Sequence, residues 1–436
     1  MGNSAVKRAF KFRFYPDDAQ ATELSKTFGC VRKVYNLALA ARAEARARRE
    51  RVGYAQTSAM LTAWKQTPEL AFLNEVSCVP LQQALRHLQR AFDAFRDGRS
   101  RHPRFKSKRR SRASAEYTRS AFRFRDGLLT LAKMAGPLSV AWSRRLPAGA
   151  EPTTVTVSRD PAGRWFVSLL FEDSPAPFPE VARAVGIDAG LTALVTLSTG
   201  EKIINPKCER RDRARLARAQ RALSRKEKGS ANRTKARIRV AKVHARIADR
   251  RRDHLHKLTT RLVRENQTLV IEDLSVRTMQ KNPRLARAIS DAAWRELRSM
   301  LEYKTAWYGR ELIAIDRWHP SSKLCSVCGA LVRDMPLSIR AWRCAGCGTE
   351  HDRDENAAIN ILAAGLAVSA CGAGVGPRRA SAAPGQRAMK QEGPPVRAGR
   401  PPFREGDEAK QPNVGVSNAA LPSAMPADTL RTSSQQ

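Results

Sequence analysis

A chain of 436 residues with a formal net charge of +38 has room for two or three domains with cores of their own, and its basic excess calls for a polyanionic partner, either nucleic acid or an anionic surface. No run of roughly 18 apolar residues occurs, so no spanning helix is expected, and of the two kinds of polyanion nucleic acid rather than a membrane is the expected partner. Met1-Gly2-Asn3-Ser4-Ala5-Val6-Lys7-Arg8 lacks the apolar core of a signal peptide, and Cys30, Cys78, Cys208 and Cys371 are too scattered for a disulfide framework, so a reducing, cytoplasmic setting is expected.

Residues 6–15 alternate Phe10, Phe12 and Phe14 with Lys11, Arg13 and Tyr15, the pattern of a strand with one wet face. Pro16-Asp17-Asp18 opens a helical region, with Asp17 or Asp18 as N-cap and segments near 17–50, 55–66 and 77–97. Arg104-Phe105-Lys106-Ser107-Lys108-Arg109-Arg110 is a basic loop holding one aromatic, and Arg104, Lys106, Lys108 and Arg109 are candidate phosphate contacts. Strands are expected between 116 and 172, at Phe122–Phe124, Leu128–Leu131, Leu138–Trp142, Thr153–Val157 and Trp165–Phe171, with the size of a small barrel.

After the linker Pro175–Pro179, Ala184–Asp188 and Thr192–Leu197 read as a hairpin of buried strands. Residues 208–265 form a long helical hairpin broken at Lys228-Gly229-Ser230. A buried strand at Leu269–Ile271, a helix at 290–309, a strand at Glu311–Ile315 and a last helix from about Asn356 to Leu366 complete the pattern. Beyond about residue 370 the composition is Pro, Gly, Ala, Ser and Arg without period, and disorder is expected.

Three acids stand out. Asp188 and Glu272 each end an apolar strand, and Asp354 lies at the start of the last helix. One strand-end acid is usually a cap or a turn former. Adjacent parallel strands would bring Asp188 beside Glu272, with Asp354 delivered by the helix. Carboxylates so close repel one another unless divalent cations lie between them, and such a set suits two-metal phosphodiester hydrolysis. Asp273 falls on the strand face opposite Glu272. Asp352 competes with Asp354, which is preferred for its place at the helix start, where Asn356 could also reach the metals. His351 is expected to support the fold or contact phosphate.

Cys325-x2-Cys328-x15-Cys344-x2-Cys347 has the spacing of a four-thiolate zinc ribbon, with Gly329 and Gly348 in the knuckle turns. Four thiolates saturate a tetrahedral ion, so this zinc is structural. Between Glu209 and Arg252 there are eighteen Lys or Arg against four acids, an imbalance that favours a phosphate-tracking surface over an ordinary solvated face. Arg213, Arg218, Arg225, Arg233 and Arg237 are its candidates. Ala241, Ala245, Ala248, Leu255, Leu258 and Leu262 are expected to form the hairpin's apolar stripe.

The order Gly186-Ile187-Asp188-Ala189-Gly190-Leu191, Ile271-Glu272-Asp273-Leu274, Cys325-x2-Cys328, Cys344-x2-Cys347 and Asp352-Arg353-Asp354-Glu355-Asn356-Ala357-Ala358 resembles TnpB, the OrfB-type proteins of insertion-sequence transposons and relatives of type V CRISPR nucleases. Tyr15-Pro16, Val34-Tyr35-Asn36-Leu37 and Pro103-Arg104-Phe105-Lys106 agree with it, whereas Leu131–Gly136 is a loose match and the tail has no motif of the family. The resemblance implies an RNase H-like (RuvC-type) α/β nuclease domain over 179–320 and 350–368, interrupted by the zinc ribbon at 321–349. It also implies a wedge β-barrel (1–15 and 116–178), a helical recognition lobe (16–115) and a disordered tail (369–436). By position Asp188, Glu272 and Asp354 would hold two Mg²⁺ ions, and the partners would be a guide RNA from the transposon end and target double-stranded DNA. Guide pairing would read sequence while basic residues hold the heteroduplex by its backbone. Tyr54, Gln82 and Gln83 are candidates to read the flanking motif. The competing readings are a nuclease-inactive regulator and a strand-transferring transposase; His254-x-His256, the only match to the latter's His pair, reads as solvated.

Overall fold

The computed structural model describes residues 6–370 apart from 148, 150 and 337, so the expected disorder of the tail lies outside the described residues. Strand β1 (Val6–Phe14) follows from the Phe alternation, and helix α1 (Asp18–Ala47) starts on a capping box in which Asp17 accepts from the Gln20 N–H at 2.8 Å. Helices α2 (Tyr54–Trp64) and α3 (Cys78–Arg96) pack on α1 around Val34, Leu39, Leu61, Leu81 and Leu85.

Then come β2 (Ala113–Thr118), β3 (Phe122–Arg125), β4 (Leu128–Leu131), β5 (Val140–Ala141), β6 (Thr154–Arg159) and β7 (Trp165–Asp173). Strand β2 escaped the sequence reading because small and polar residues surround its two buried side chains, Ala115 and Tyr117. The order β2-β6-β7-β1-β5 makes one antiparallel sheet, and β3 and β4 form a separate hairpin over the same core, which includes Phe12, Phe14, Leu129, Leu131, Val167 and Phe171.

The second half is built on β8 (Ala184–Ala189), β9 (Ala193–Leu197) and β10 (Lys202–Ile204), followed by α4 (Cys208–Ser224), α5 (Ala231–Glu265) and β11 (Thr268–Glu272). Helices α6 (Val276–Met279), α7 (Ala286–Ala292) and α8 (Trp294–Tyr308) lead to β12 (Glu311–Ile315), then β13 (Ala341–Arg343), β14 (Glu350–Asp352) and α9 (Arg353–Ala370). The helix expected at 290–309 is divided at Ala293, whose φ of +54° breaks the turn. The last helix starts at Arg353 rather than near Asn356, because Asp352 Oδ1 accepts from the backbone of Asp354 and Glu355, each at 3.1 Å.

The sheet order is β10-β9-β8-β11-β12, with β11 parallel to both β8 and β12. Leu255, Leu258 and Leu262 of α5 and Leu297 and Leu301 of α8 cover one face, while Ile361 of α9 meets Val270, Ile313 and Ile315 on the other. That second contact demands glycine. A Cβ on Gly186 would overlap the Ala358 carbonyl oxygen, and one on Gly365 would overlap the Val270 side chain. The hairpin's stripe lies in a different register from the expected one in its first half: Ala236, Val243 and Ile247 are buried, not Ala241, Ala245 and Ala248.

Candidate active site

Parallel pairing of β8 with β11 in the register Ile187↔Ile271 sets Asp188 and Glu272 side by side at the carboxyl ends of their strands. Period-2 alternation then puts Asp188 on the face of Gly186 and Glu272 on the face of Val270, the face that α9 covers. Asp354 enters from the first turn of α9. Part of Asp188 reaches solvent, but its carboxyl sits among protein atoms. Burial, then the charges of Asp354 and Glu272, push its pKa up to about 7 against the opposing pull of the Ala189 N–H and Arg353. Glu272 is raised by burial and by Asp273.

The three acids therefore feel one another but are not closed into a tight set. Among the described residues, only the cysteines gather three or more ligand atoms within 4.8 Å of one another. Like-charge repulsion acts against closer approach of the carboxylates, and Arg340, from the ribbon, pairs with Asp354 Oδ1 at 3.1 Å. Oxygen donors that repel one another in this way suit a hard divalent cation. Nothing in the sequence marks Arg340, which sits in an irregular segment just before β13.

The neighbouring acids have other work. Asp273 pairs with Arg298 and Arg317; burial would raise its pKa, but those two guanidiniums win and hold it below the usual range. Asp352 caps α9 and pairs with Lys202 Nζ at 2.6 Å. Asn356, expected near the metals, instead staples the ribbon: its Oδ1 accepts from Ser326 N–H at 2.9 Å and its Nδ2 donates to Leu324 O at 2.7 Å. Asn360 Nδ2 donates to the carbonyls of Leu324 and Ser321, at 2.6 and 2.8 Å. Both amides are buried, and a buried amide left without partners is costly, which binds α9 to the first knuckle.

Cys325, Cys328, Cys344 and Cys347 converge as the spacing requires, and Gly329 and Gly348 donate to Cys325 O and Cys344 O, each at 2.9 Å. The thiol set fits a tetrahedral zinc ion. His351 is buried with Nε2 3.1 Å from Cys325 Sγ and packs on Trp342, so it supports the knuckle.

The basic candidates divide. Arg104, Lys108, Arg109, Arg218, Arg225 and Arg237 are exposed with no carboxylate partner among the described residues. Lys106 is different: its Nζ lies 3.7 Å from the centre of the Tyr35 ring, and burial lowers its pKa. Arg213 pairs with Glu209 at 2.8 Å, and Arg233 donates to the carbonyls of Leu223 and Lys226, capping α4. Gln83 is buried, and Tyr54 accepts from Arg86, whereas Gln82 is exposed. His254, expected to be solvated, has a buried Nε2 without a partner, and burial lowers its pKa.

Acids at the carboxyl ends of a mixed sheet, beside an inserted thiolate ribbon, define a nuclease-like α/β protein. Residues 166–283 match the OrfB family of IS605 elements, described as "Probable transposase", and 294–361 match "Cas12f1-like, TNB domain". A "Helix-turn-helix domain" model matches 1–51, where the described residues form β1 and the single long helix α1. A Streptomyces pristinaespiralis protein named "Putative RNA-guided DNA endonuclease" is 69% identical over 397 residues, covering 91% of this chain and 98% of the relative. The Escherichia coli K12 protein "Putative RNA-guided DNA endonuclease InsQ" is 34% identical over 390 residues, 84% of this chain and 94% of its own. The fold is shared with the Cas12f1 chain of a Cas12f1–sgRNA–target DNA complex, with TM-score 0.52 and 12% identity over 82% of this chain and 99% of that one. The chain belongs to the OrfB (TnpB) family. Among the described residues no helix is long and apolar enough to cross a membrane.

Proposed function

We propose that this chain is an RNA-guided, divalent-metal-dependent DNA endonuclease whose cutting centre is Asp188, Glu272 and Asp354. The observation that carries the reading is the charge coupling of these three acids at one end of the sheet. Two Mg²⁺ ions bound there would supply an activated water and neutralise the leaving oxygen. Asp188 and Glu272 would be held in place by their strands and Asp354 by the Asp352-capped turn, so little reorganisation is needed to receive the ions. Arg340 would have to exchange Asp354 for a substrate phosphate, a partner its guanidinium fits equally well.

The four cysteines would hold one structural zinc. On this reading residues 6–14 and 113–173 would form the wedge barrel, 18–96 the recognition lobe, and 184–315 with 353–370 the RuvC-type domain. A guide RNA from the transposon end and the target duplex would lie along Arg104, Lys108, Arg109, Arg218, Arg225 and Arg237.

The test is Asp188→Ala in the guide-loaded protein. Mg²⁺-dependent cleavage is expected to vanish with RNA and target affinity unchanged. Cutting at the wild-type rate would remove Asp188 from the centre, and binding without cutting in the wild-type protein would favour a regulator.

A further inference from the structure

The connection from β12 to the ribbon carries Trp318, which at 84% exposure is the most exposed large apolar side chain among the described residues. Aromatic rings bring the largest apolar surface of any side chain to a contact, and leaving one in water forgoes that gain. The chain nevertheless holds this ring out on a fixed turn. Trp318 N–H donates to Asp316 Oδ1 at 2.7 Å and His319 N–H to Asp316 O at 3.2 Å, so Asp316 closes the turn with its side chain and its backbone. Arg317 pairs with Asp273 and clamps the turn to the loop that follows Glu272.

Both ends of this connection are anchored beside the acids. Ile315 is the register partner of Glu272, and its carbonyl accepts from Asp273 N–H at 3.1 Å. At the other end Ser321 O accepts from Asn360 Nδ2 at 2.8 Å and from Asn356 Nδ2 at 3.5 Å, on the helix that carries Asp354. Three residues of chain reach at most about 11 Å and paired strands lie about 4.8 Å apart, so the Cα atoms of Trp318 and Glu272 are within about 16 Å of each other. A strand with one phosphate at the acids has several nucleotides within that distance. One set of three acids takes one strand at a time, and a single strand leaves the faces of its bases uncovered. Asp316 and Arg317 flank the ring with opposite charges, so the local selection lies in the flat indole face, on which any unpaired base stacks whatever its sequence. The net charge of +38 makes a polyanion the partner that this rim meets.

We propose that Trp318 is a stacking platform for one base of the single DNA strand that crosses the acids, and so a positioning residue for its cleavage. The ordered turn keeps the ring in place before the strand arrives, which lowers the entropy cost of seating it. The inference rests on the nuclease reading above and adds a contact to it.

The experiment uses the full chain loaded with guide RNA, and target DNA in which an abasic residue replaces each nucleotide around the cut in turn. For Trp318→Ala, single-turnover cleavage at saturating target is expected to fall about tenfold with target affinity unchanged. Trp318→Tyr, which keeps a flat ring, is expected to stay within about threefold of the wild type, and Trp318→Leu, which keeps only apolar bulk, to behave like Trp318→Ala. At one position an abasic residue should slow the wild-type protein about tenfold and leave Trp318→Ala no slower than on intact DNA. Wild-type rates in Trp318→Ala overturn the proposal, as does an abasic penalty of equal size in both proteins or a Trp318→Leu protein as fast as Trp318→Tyr. So does a dimer of the free chain that Trp318→Ala dissolves, which would make the ring an interface between copies. If Trp318→Ala fails to fold, as thermal melting will show, Trp318→Tyr against Trp318→Leu decides. Asp188→Ala separates the two readings: cleavage surviving there defeats the nuclease assignment, whereas cleavage lost there with Trp318→Ala cutting at the wild-type rate defeats only the stacking platform.

Discussion

At the scale of single residues, two ionisable groups are held away from their ordinary titration range, in opposite senses. The folded protein holds the Asp188 proton up to about pH 7 against 3.8 for a free carboxyl, so it binds more protons than the unfolded chain across that window. Stability without Mg²⁺ is then greatest below pH 3.8, as far as this group goes, and falls as pH rises towards 7. Asp188→Asn removes the slope and should stabilise the protein at pH 8 by a few kcal/mol, at about 1.4 kcal/mol per pKa unit. Denaturant melts at pH 5 and pH 8, in Mg²⁺-free buffer with zinc retained, check this; parallel pH profiles for variant and wild type would refute it. Lys304 is the reverse case. It is 5% exposed, donates to His256 O, Thr259 Oγ1 and Thr260 Oγ1, and burial lowers its pKa from 10.5 to about 8. The folded state binds fewer protons between pH 8 and 10.5, so this group adds stability as pH rises through that range. Lys304→Met exchanges a desolvated charge for an apolar chain of similar reach. Melting at pH 7 should change by only about 1 kcal/mol, and the gain between pH 7 and pH 9.5 should disappear.

At the scale of elements, α9 is tied to the ribbon by the buried amides of Asn356 and Asn360. Asn360→Ala removes the 2.8 Å donor to Ser321 O, leaving it only the 3.5 Å contact of Asn356 Nδ2, and one of the two donors to Leu324 O, at a cost of about 1–3 kcal/mol. Cleavage is expected to fall more than target affinity while the protein keeps its zinc, as metal analysis would show; equal losses in both would mean general unfolding. Much of this arrangement was legible in advance. The Phe alternation gave β1, the apolar runs gave β8, β11 and β12, and the cysteine spacing gave the ribbon, because each is a local pattern. Local pattern also divided Glu272 from Asp273 correctly onto opposite faces, and Asp273 indeed turns to Arg298 and Arg317. What stayed hidden depends on long-range partners. Asn356 looked like a metal-site residue because it is near Asp354 in the chain, but Leu324 and Ser326 claim it. The break at Ala293 carries no Gly or Pro to announce it. The pairing of Arg340 with Asp354 arises only when the ribbon folds against the sheet.

At the scale of the whole molecule, a net charge of +38 ensures affinity for polyanions but does not say which cations meet them. The structure sorts the basic residues by what already holds them. Lys106 lies on Tyr35, Arg233 caps α4 and Arg213 faces Glu209, so their charges are partly spent inside the fold. Arg218 on α4, Arg225 just past its end and Arg237 on α5 are exposed with no carboxylate partner among the described residues, which leaves them open to solvent. Each phosphate neutralised on a duplex contributes roughly 0.9 to the slope of log affinity against log salt, and each on a single strand about 0.7. Changing all three to Gln should therefore flatten the salt dependence of guide RNA binding by roughly 2–3 in slope, with the melting temperature nearly unchanged. Arg233→Gln should do the opposite, lowering stability by about 1 kcal/mol through the lost cap and leaving the slope almost as it was. Salt titrations of binding, run beside thermal melts of both variants, distinguish the two kinds of arginine. If Arg233→Gln changed the slope as much as the triple variant, the division between structural and phosphate-facing cations on this hairpin would be wrong.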